Sequence, residues 1–206
     1  MTDDSRGYAN PELLISAEEL AARLGLTGKR IEDIVLIDLR PTEQFAASHI
    51  PGAVHLDLFG LSLVNTDPTP LEAFLWMIAH LLTSRGVVAD RSVVTYDEHS
   101  GIRAARAFWF LEFFGHSAAS VLDGGFGAWQ RIGFPTTREA VAPCQGQWEV
   151  NRHAQRLATW RQVESRLEDE DTVLLDTRSD CEYRGTKVRA RRAGAIPGAV
   201  HIEWTQ

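Results

Sequence analysis

The sequence predicts an α/β protein whose central sheet is mostly parallel and flanked by helices, followed by the first part of a second copy of the same domain. Two observations support this prediction. Short apolar runs of strand length alternate with patterns of helical period along the first 137 residues. The stretch 34–58, IVLIDLRPTEQFAASHIPGAVHLDL, also returns at 172–204 as TVLLDTRSDCEYRGTKVRARRAGAIPGAVHIEW. Self-similarity of this kind indicates a duplicated domain.

The duplication sets the predicted domain boundaries. Asp38 matches Asp176 at an offset of 138 residues, and His55 matches His201 at an offset of 146, so the second copy carries eight extra residues between these points. Copy one continues for about eighty residues beyond its IPGAVH motif, whereas five residues follow the second motif. We therefore predict a first domain at 14–137, an interdomain linker at 138–156 and an incomplete second domain at 157–206.

The first half of domain one is predicted to contain two short helices and two short strands. A capping-box pattern, SAEE, predicts a helix at 17–24. The run 34–37 is apolar and bounded by charge, which suits a buried parallel strand. A proline marks the start of a helix at 41–47, and the IPG turn at 50–52 leads into a second strand.

The second half of domain one is predicted to alternate helices and strands. The predicted elements are a helix at 69–84, a strand at 92–96, a helix at 101–114, a strand at 120–122 and a helix that ends near Trp129. The helix at 101–114 is apolar nearly all round, so we expect it to be largely buried. Gly86 and Gly115 follow two of these helices and are placed to end them.

Composition and charge indicate a globular protein and argue against some function classes. Hydrophobic residues make up 44 per cent of the 206 residues and charged residues 24 per cent, as in ordinary globular domains. The net charge of −7 argues against nucleic acid as the main partner. The longest near-apolar run, 73–82, is too short to span a bilayer, so no membrane partner is expected. Because no signal-peptide pattern is visible and two cysteines cannot make a disulfide framework, we predict a cytoplasmic location.

The loop at 97–103 is the place where the sequence predicts chemistry. It follows the strand at 92–96 and opens the next helix. Ligands of parallel sheets bind beyond the carboxyl ends of strands, and a helix N-terminus there presents backbone N–H groups to an anion. We therefore expect a functional or formerly functional site in this loop.

Several motifs, in this order and spacing, resemble those of two-domain rhodanese-type sulfurtransferases. DLRPTEQF, HIPGAVH, VVTYD, RAARAFWFLEFFGH and VLDGGFGAW resemble the N-terminal domain of that family. DTRSDCEYRG and IPGAVHIEW look like the opening of its C-terminal domain. The resemblance covers essentially the whole chain and implies a rhodanese-like α/β fold.

The activity that this resemblance implies is transfer of sulfane sulfur from thiosulfate or 3-mercaptopyruvate to a thiophilic acceptor through a cysteine persulfide. In this family the nucleophilic cysteine belongs to the C-terminal domain, and the N-terminal domain commonly has aspartate at that place. Asp97 stands there in this chain, and we interpret it as a built-in anion that caps the helix. The second copy reaches Gln206 before its equivalent loop, so we expect no catalytic residue among these 206 residues and no activity of this chain alone.

The resemblance also implies which residues bind the substrate. It places Arg178, and less directly Arg184, beside the pocket of a complete second domain, where a guanidinium would hold the small anionic sulfur donor. The first-copy equivalent of Arg178 is Arg40, which with Asp38 is predicted to brace the sheet edge. No cofactor and no metal are predicted, and the sequence leaves the oligomeric state open.

Other residues of chemical interest have simpler explanations. Cys181 and Cys144 lie outside the nucleophile loop and are interpreted as ordinary thiols. A metal site at His49, His55 and Asp57 is disfavoured, because the second copy has Ala195 in place of the first of these, where the family usually has histidine. No lysine follows the glycines of the DGGFG motif, Gly124, Gly125 and Gly127, so a tight turn is preferred to a phosphate loop.

Two alternative functions remain open at this stage. One is a non-catalytic rhodanese-like module that binds a partner protein through the Asp97 loop or through the basic segment 184–192, for which a solvated loop is the simpler interpretation. The other is a phosphatase-like activity, since 97–103 has the interval of a nucleophile loop closed by arginine. That loop lacks a thiolate, which disfavours the second alternative.

Overall fold

A computed structural model describes residues 9–28, 33–99 and 101–204, and the chain divides into two units, Met1–Leu157 and Ala158–Gln206. Residues 1–8, in which no signal-peptide pattern is visible, lie outside the described residues. Ser100, in the loop at 97–103, also lies outside them.

The first unit is built on a parallel sheet of five strands, which confirms the predicted α/β class. Their order across the sheet is β1-β5-β4-β2-β3. The strands are β1 (Leu14–Ile15), β2 (Val35–Asp38), β3 (Val54–His55), β4 (Val93–Tyr96) and β5 (Ala119–Leu122). The helices are α1 (Ala17–Arg23), α2 (Thr42–Ala47), α3 (Pro68–Thr83), α4 (Ile102–Phe113) and α5 (Gly125–Ile132). All the predicted strands and helices of this unit are present, with bounds shifted by one to three residues.

Alternation along β2 creates a core on each face of the sheet. Val35 and Ile37 pack with α3 and α4, whereas Leu36 packs with α1 and α5 on the opposite face. All four residues of β2 are buried because the strand lies between β3 and β4 and is covered on both faces. The carboxyl ends of β2 and β4 therefore meet at one edge, where Asp38 is paired with Tyr96.

Helix α4 is less completely buried than its composition predicts. Five of its residues are buried: Ala104, Ala107, Phe110, Leu111 and Phe113. Phe108 and Trp109 are half-buried, and Ile102 is exposed at the start of the helix. Gly86 and Gly115 both follow helices with positive φ, as their predicted role as terminators requires.

The segment 138–156, predicted as a linker, packs against the first unit. The Gly146 N–H donates to the Thr83 carbonyl at 2.9 Å, and the Asn151 N–H donates to the Phe114 carbonyl at 3.0 Å. The indole of Trp148 meets the ring of Phe114 edge-on. These contacts explain why the boundary between the compact units falls after Leu157 rather than near residue 138.

Within its described residues, the second unit has a two-stranded parallel sheet and two short helices. The elements are β6 (Leu175–Asp176), β7 (Val200–His201), α6 (Trp160–Glu164) and α7 (Asp180–Tyr183). Leu175 is 55 per cent exposed, whereas Ile37, its equivalent in β2, is 0 per cent exposed. The second unit thus repeats the strand pairing of the first without the same burial. No helix in the described part of the chain is both long and apolar enough to cross a membrane.

Candidate functional site

Asp97 fills the anion-binding position at the end of β4 with its own carboxylate. Oδ1 accepts hydrogen bonds from the backbone N–H groups of His99 and Gly101, both at 2.9 Å. Oδ2 accepts from the N–H of Ala104 in the first turn of α4 at 3.1 Å. The side chain is buried, so these bonds replace its hydration. The loop therefore has the converging donors of an anion site, and they are already occupied.

The DGGFG turn holds this loop from the side of α5. The N–H of Phe126 donates to the Asp97 carbonyl at 2.8 Å, and the N–H of Gly127 donates to the Glu98 carbonyl at 2.9 Å. Gly125 has a φ of +57°, and a Cβ atom there would lie 2.5 Å from the Asp97 carbonyl oxygen. Only glycine permits this approach. These contacts agree with the predicted tight turn. The contact between this turn and the loop at 97–103 could not be predicted from the sequence.

Asp38 and Arg40 form a bidentate ion pair beside the loop, which we call the first brace. Arg40 Nη2 lies 2.6 Å from Asp38 Oδ2, and the same nitrogen donates to the Ser48 carbonyl at 2.7 Å. The guanidinium carbon lies 3.7 Å from the centre of the Phe126 ring. Burial acts to lower the pKa of Arg40, but the hydrogen bond and charge of Asp38 outweigh it and raise that pKa. Burial raises the pKa of Tyr96 well above its ordinary value, and the Asp38 charge adds to this.

Asp176 and Arg178 repeat this geometry in the second unit, and we call them the second brace. Arg178 Nη2 lies 2.6 Å from Asp176 Oδ2 and donates to the Gly194 carbonyl at 3.0 Å. His201 Nε2 is 2.8 Å from the Arg178 carbonyl oxygen, as His55 Nε2 is from that of Arg40. The hydrogen bond between the two side chains raises the pKa of Arg178 and lowers the pKa of Asp176.

The two arginines predicted to bind substrate lie in different surroundings. Arg178 lines a cavity of about 650 Å³ in the second unit, together with Asp176 and Arg192. Arg184 does not line that cavity, and its Nε donates to Asp180 at 2.7 Å on α7. Substrate binding by these two residues remains a prediction.

The residues considered for a metal site do not converge. His49 is buried, with Nδ1 2.8 Å from the Phe45 carbonyl oxygen. Asp57 pairs with Arg103 at 2.9 Å. Arg103 is the arginine that would close a phosphatase-like loop, and it therefore already contacts a carboxylate. Among residues 9–28, 33–99 and 101–204, no three histidine, cysteine or acidic side chains are grouped closely enough to hold a metal ion. Cys144 and Cys181 are exposed free thiols.

Glu98 is a residue that the sequence analysis missed. Its Oε1 atom is buried and has no hydrogen-bond partner among the described residues. Glu98 and Arg40 both line a cleft of about 290 Å³. Its position directly after Asp97 at a strand end was the available signal, but a glutamate in a polar loop has no distinctive pattern.

Comparisons with known proteins agree with the motifs. The model of the rhodanese-like domain matches residues 16–132. Thiosulfate sulfurtransferases of Pseudomonas aeruginosa and Azotobacter vinelandii are each 33 per cent identical to this chain, covering 96 per cent of it and 71 per cent of their own length. The crystal structure of SseA from Escherichia coli, described as a 3-mercaptopyruvate sulfotransferase, superposes with a TM-score of 0.75 at 27 per cent identity and covers 94 per cent of this chain and 75 per cent of its own.

Proposed function

The chain belongs to the rhodanese family, and from this premise we propose that it serves the transfer of sulfane sulfur from thiosulfate or 3-mercaptopyruvate to a thiophilic acceptor. The observation that carries the more specific part of the proposal is the closed Asp97 site, in which the carboxylate accepts the N–H groups of His99, Gly101 and Ala104. We assign the first unit a non-catalytic role and the nucleophile to a residue outside these 206.

The chemistry explains why aspartate cannot replace cysteine. A cysteine thiolate attacks the sulfane sulfur of thiosulfate, the sulfur–sulfur bond breaks, and sulfite leaves with the bonding electrons. An acceptor such as cyanide or a thiolate then attacks the outer sulfur of the persulfide, and the cysteine thiolate is released. A low-pKa thiolate held by N–H groups suits the first step, whereas a carboxylate in the same place cannot form a persulfide.

Arg178 and Arg184 are the proposed binding groups for the anionic donor. Arg178 uses Nε and Nη2 for the second brace, and its Nη1 makes no hydrogen bond within the described residues. Arg184 uses Nε for Asp180. Each guanidinium therefore keeps N–H groups that an anion can accept from. A cytoplasmic location is part of the proposal, because two exposed free cysteines suit a reducing compartment.

Assays of thiosulfate:cyanide and mercaptopyruvate sulfurtransfer on the purified 206-residue chain test the proposal. We expect no turnover above a protein-free control, because Cys144 lies in the segment 138–156 and Cys181 lies on α7, and neither is in the loop after β4 or at its equivalent in the second copy. Cys181→Ser is the matched control. Turnover that this substitution abolishes would contradict the assignment of the nucleophile to another place.

The second candidate function is a protein-binding module. It is favoured by the closed site and by the exposed position of the basic segment 184–192. The sequence of the encoding DNA beyond codon 206 distinguishes the two candidates. A strand pattern followed by cysteine near position 243, at the repeat offset from Asp97, supports the enzyme, and its absence in every frame supports the module.

A further inference from the structure

A cleft on the first unit lies between α2, the loop after β4 and the start of α5. Its volume is about 290 Å³, and its lining includes Arg40, Glu98, His99, Phe126 and Gln130. The proposed sulfur transfer uses none of these residues. The cleft brings a buried guanidinium and a partly buried carboxylate to one surface without pairing them.

Arg40 presents unused donors to this cleft. Its backbone N–H, Nε and Nη2 donate to Asp38, and Nη2 also donates to the Ser48 carbonyl. Nη1 makes no hydrogen bond within the described residues and is not fully buried. The residue is only 3 per cent exposed and its guanidinium is stacked on Phe126. The guanidinium is therefore fixed in direction, and Arg40 is one of the residues that line the cleft.

Glu98 presents the opposite charge. Its carboxylate accepts no hydrogen bond from the described part of the chain, and Oε1 is buried. The Gly127 N–H holds the Glu98 carbonyl at 2.9 Å, so the backbone that carries this side chain is anchored. A carboxylate that loses hydration without gaining a donor is destabilising, and such a group calls for an explanation.

The two groups do not satisfy each other. They form no ion pair within 4 Å, since the Arg40 guanidinium pairs with Asp38. An anion alone that enters the cleft meets the charge of Glu98, and a cation alone meets that of Arg40. A ligand that carries both charges avoids both repulsions.

We propose that this cleft binds a small zwitterion of the α-amino acid class. The ligand carboxylate accepts hydrogen bonds from Arg40 Nη1, and the ligand ammonium donates to the Glu98 carboxylate from the cleft side. Both bonds are charge-assisted, because each joins a charged group of the protein to the opposite charge of the ligand.

Isothermal titration calorimetry of the full chain with three matched probes tests the proposal. L-Alanine carries both charges, propionate lacks the ammonium, and ethylamine lacks the carboxylate. We expect L-alanine to bind in the millimolar range and each analogue to bind about tenfold more weakly or worse, because each loses one charge-assisted hydrogen bond.

Glu98→Gln separates the two halves of the site. The change is isosteric, and we expect it to weaken L-alanine binding about tenfold while leaving propionate binding unchanged or stronger. Glu43→Gln, on the exposed face of α2 away from the cleft lining, is the matched control and should bind L-alanine as the wild type does. Equal affinity for propionate and L-alanine, unchanged binding by Glu98→Gln, or no heat with L-alanine would each overturn the proposal.

Discussion

At the scale of single residues, Asp97 shows how one carboxylate can stabilise the loop that follows β4. Its two oxygens accept the backbone N–H groups of His99, Gly101 and Ala104 in a buried setting. Such a carboxylate stabilises the fold most when the N–H groups that donate to it would otherwise be buried without an acceptor, because buried N–H groups cannot hydrogen-bond to water.

Asp97→Ala should therefore lower the free energy of unfolding by about 2 kcal/mol or more. Asp97→Asn retains one oxygen acceptor and should lose less. Urea unfolding of both variants at neutral pH measures the difference. An Asp97→Ala variant that unfolds at the wild-type midpoint would show that the three bonds contribute nothing net.

His116 gives the first unit a dependence on pH. Burial lowers its pKa, against the hydrogen bond to the Val88 carbonyl, which acts to raise it. The folded protein thus binds the proton less readily than the unfolded chain. The contribution of neutral His116 is complete above its unfolded pKa of about 6.5 and decreases as the pH falls below that value.

Unfolding measured by urea between about pH 7.5 and pH 5 checks this sign. His116→Gln should have a flatter stability profile over that range than the wild type. The same slope in His116→Gln and the wild type would assign the dependence to other groups.

At the scale of elements, the turn before α5 provides the sharpest comparison between two glycines. A Cβ at Gly125 would clash with the Asp97 carbonyl oxygen, whereas one at Gly133 would meet nothing within 4 Å, although both have positive φ. Gly133→Ala should cost only the backbone strain, about 1 kcal/mol. Gly125→Ala adds a steric clash with the Asp97–Glu98 backbone, so we expect at least twice that loss in urea unfolding. Equal losses of unfolding free energy in the two variants would mean that the Asp97–Glu98 backbone moves away from the added Cβ at no cost.

The sequence was sufficient for the elements that have strong local signals. The continuous apolar run of β2, the capping-box pattern of α1 and the nearly all-apolar α4 were each recognisable from adjacent residues, and the motif order indicated the family. Strand β1 escaped prediction because two residues, Leu14 and Ile15, define no period. The packing of 138–156 was missed because proline and glycine suggested a linker, whereas Trp148 and Val150 bury apolar surface against the core. Glu98 could not be recognised because its environment depends on contacts between distant segments.

At the scale of the whole molecule, the two units differ in how much apolar surface they bury. Val173, Leu175, Val200 and Ile202 are all more than half exposed, and each lies in a strand of the second unit or within two residues of one. A fragment of about 50 residues without disulfide or metal rarely buries enough surface to be stable alone. The second unit should therefore open first.

Limited proteolysis followed by mass spectrometry tests this order of opening. We expect the first cuts in the basic segment 184–192 and a resistant fragment that ends near Leu157. The segment 138–156, although predicted as a linker, should resist because its backbone is bonded to the first unit. A protected C-terminal fragment would contradict this expectation.

The two braces place one ion pair in two dielectric environments within a single chain. The side chains of Arg40 and Asp38 are 4 and 0 per cent exposed, and those of Arg178 and Asp176 are 45 and 10 per cent exposed. Dissolved salt screens charges that water can reach and has little access to charges in a dry core. Ionic strength therefore acts on this protein unevenly, loosening the turn around β6 and β7 while leaving the same arrangement beside β2 intact.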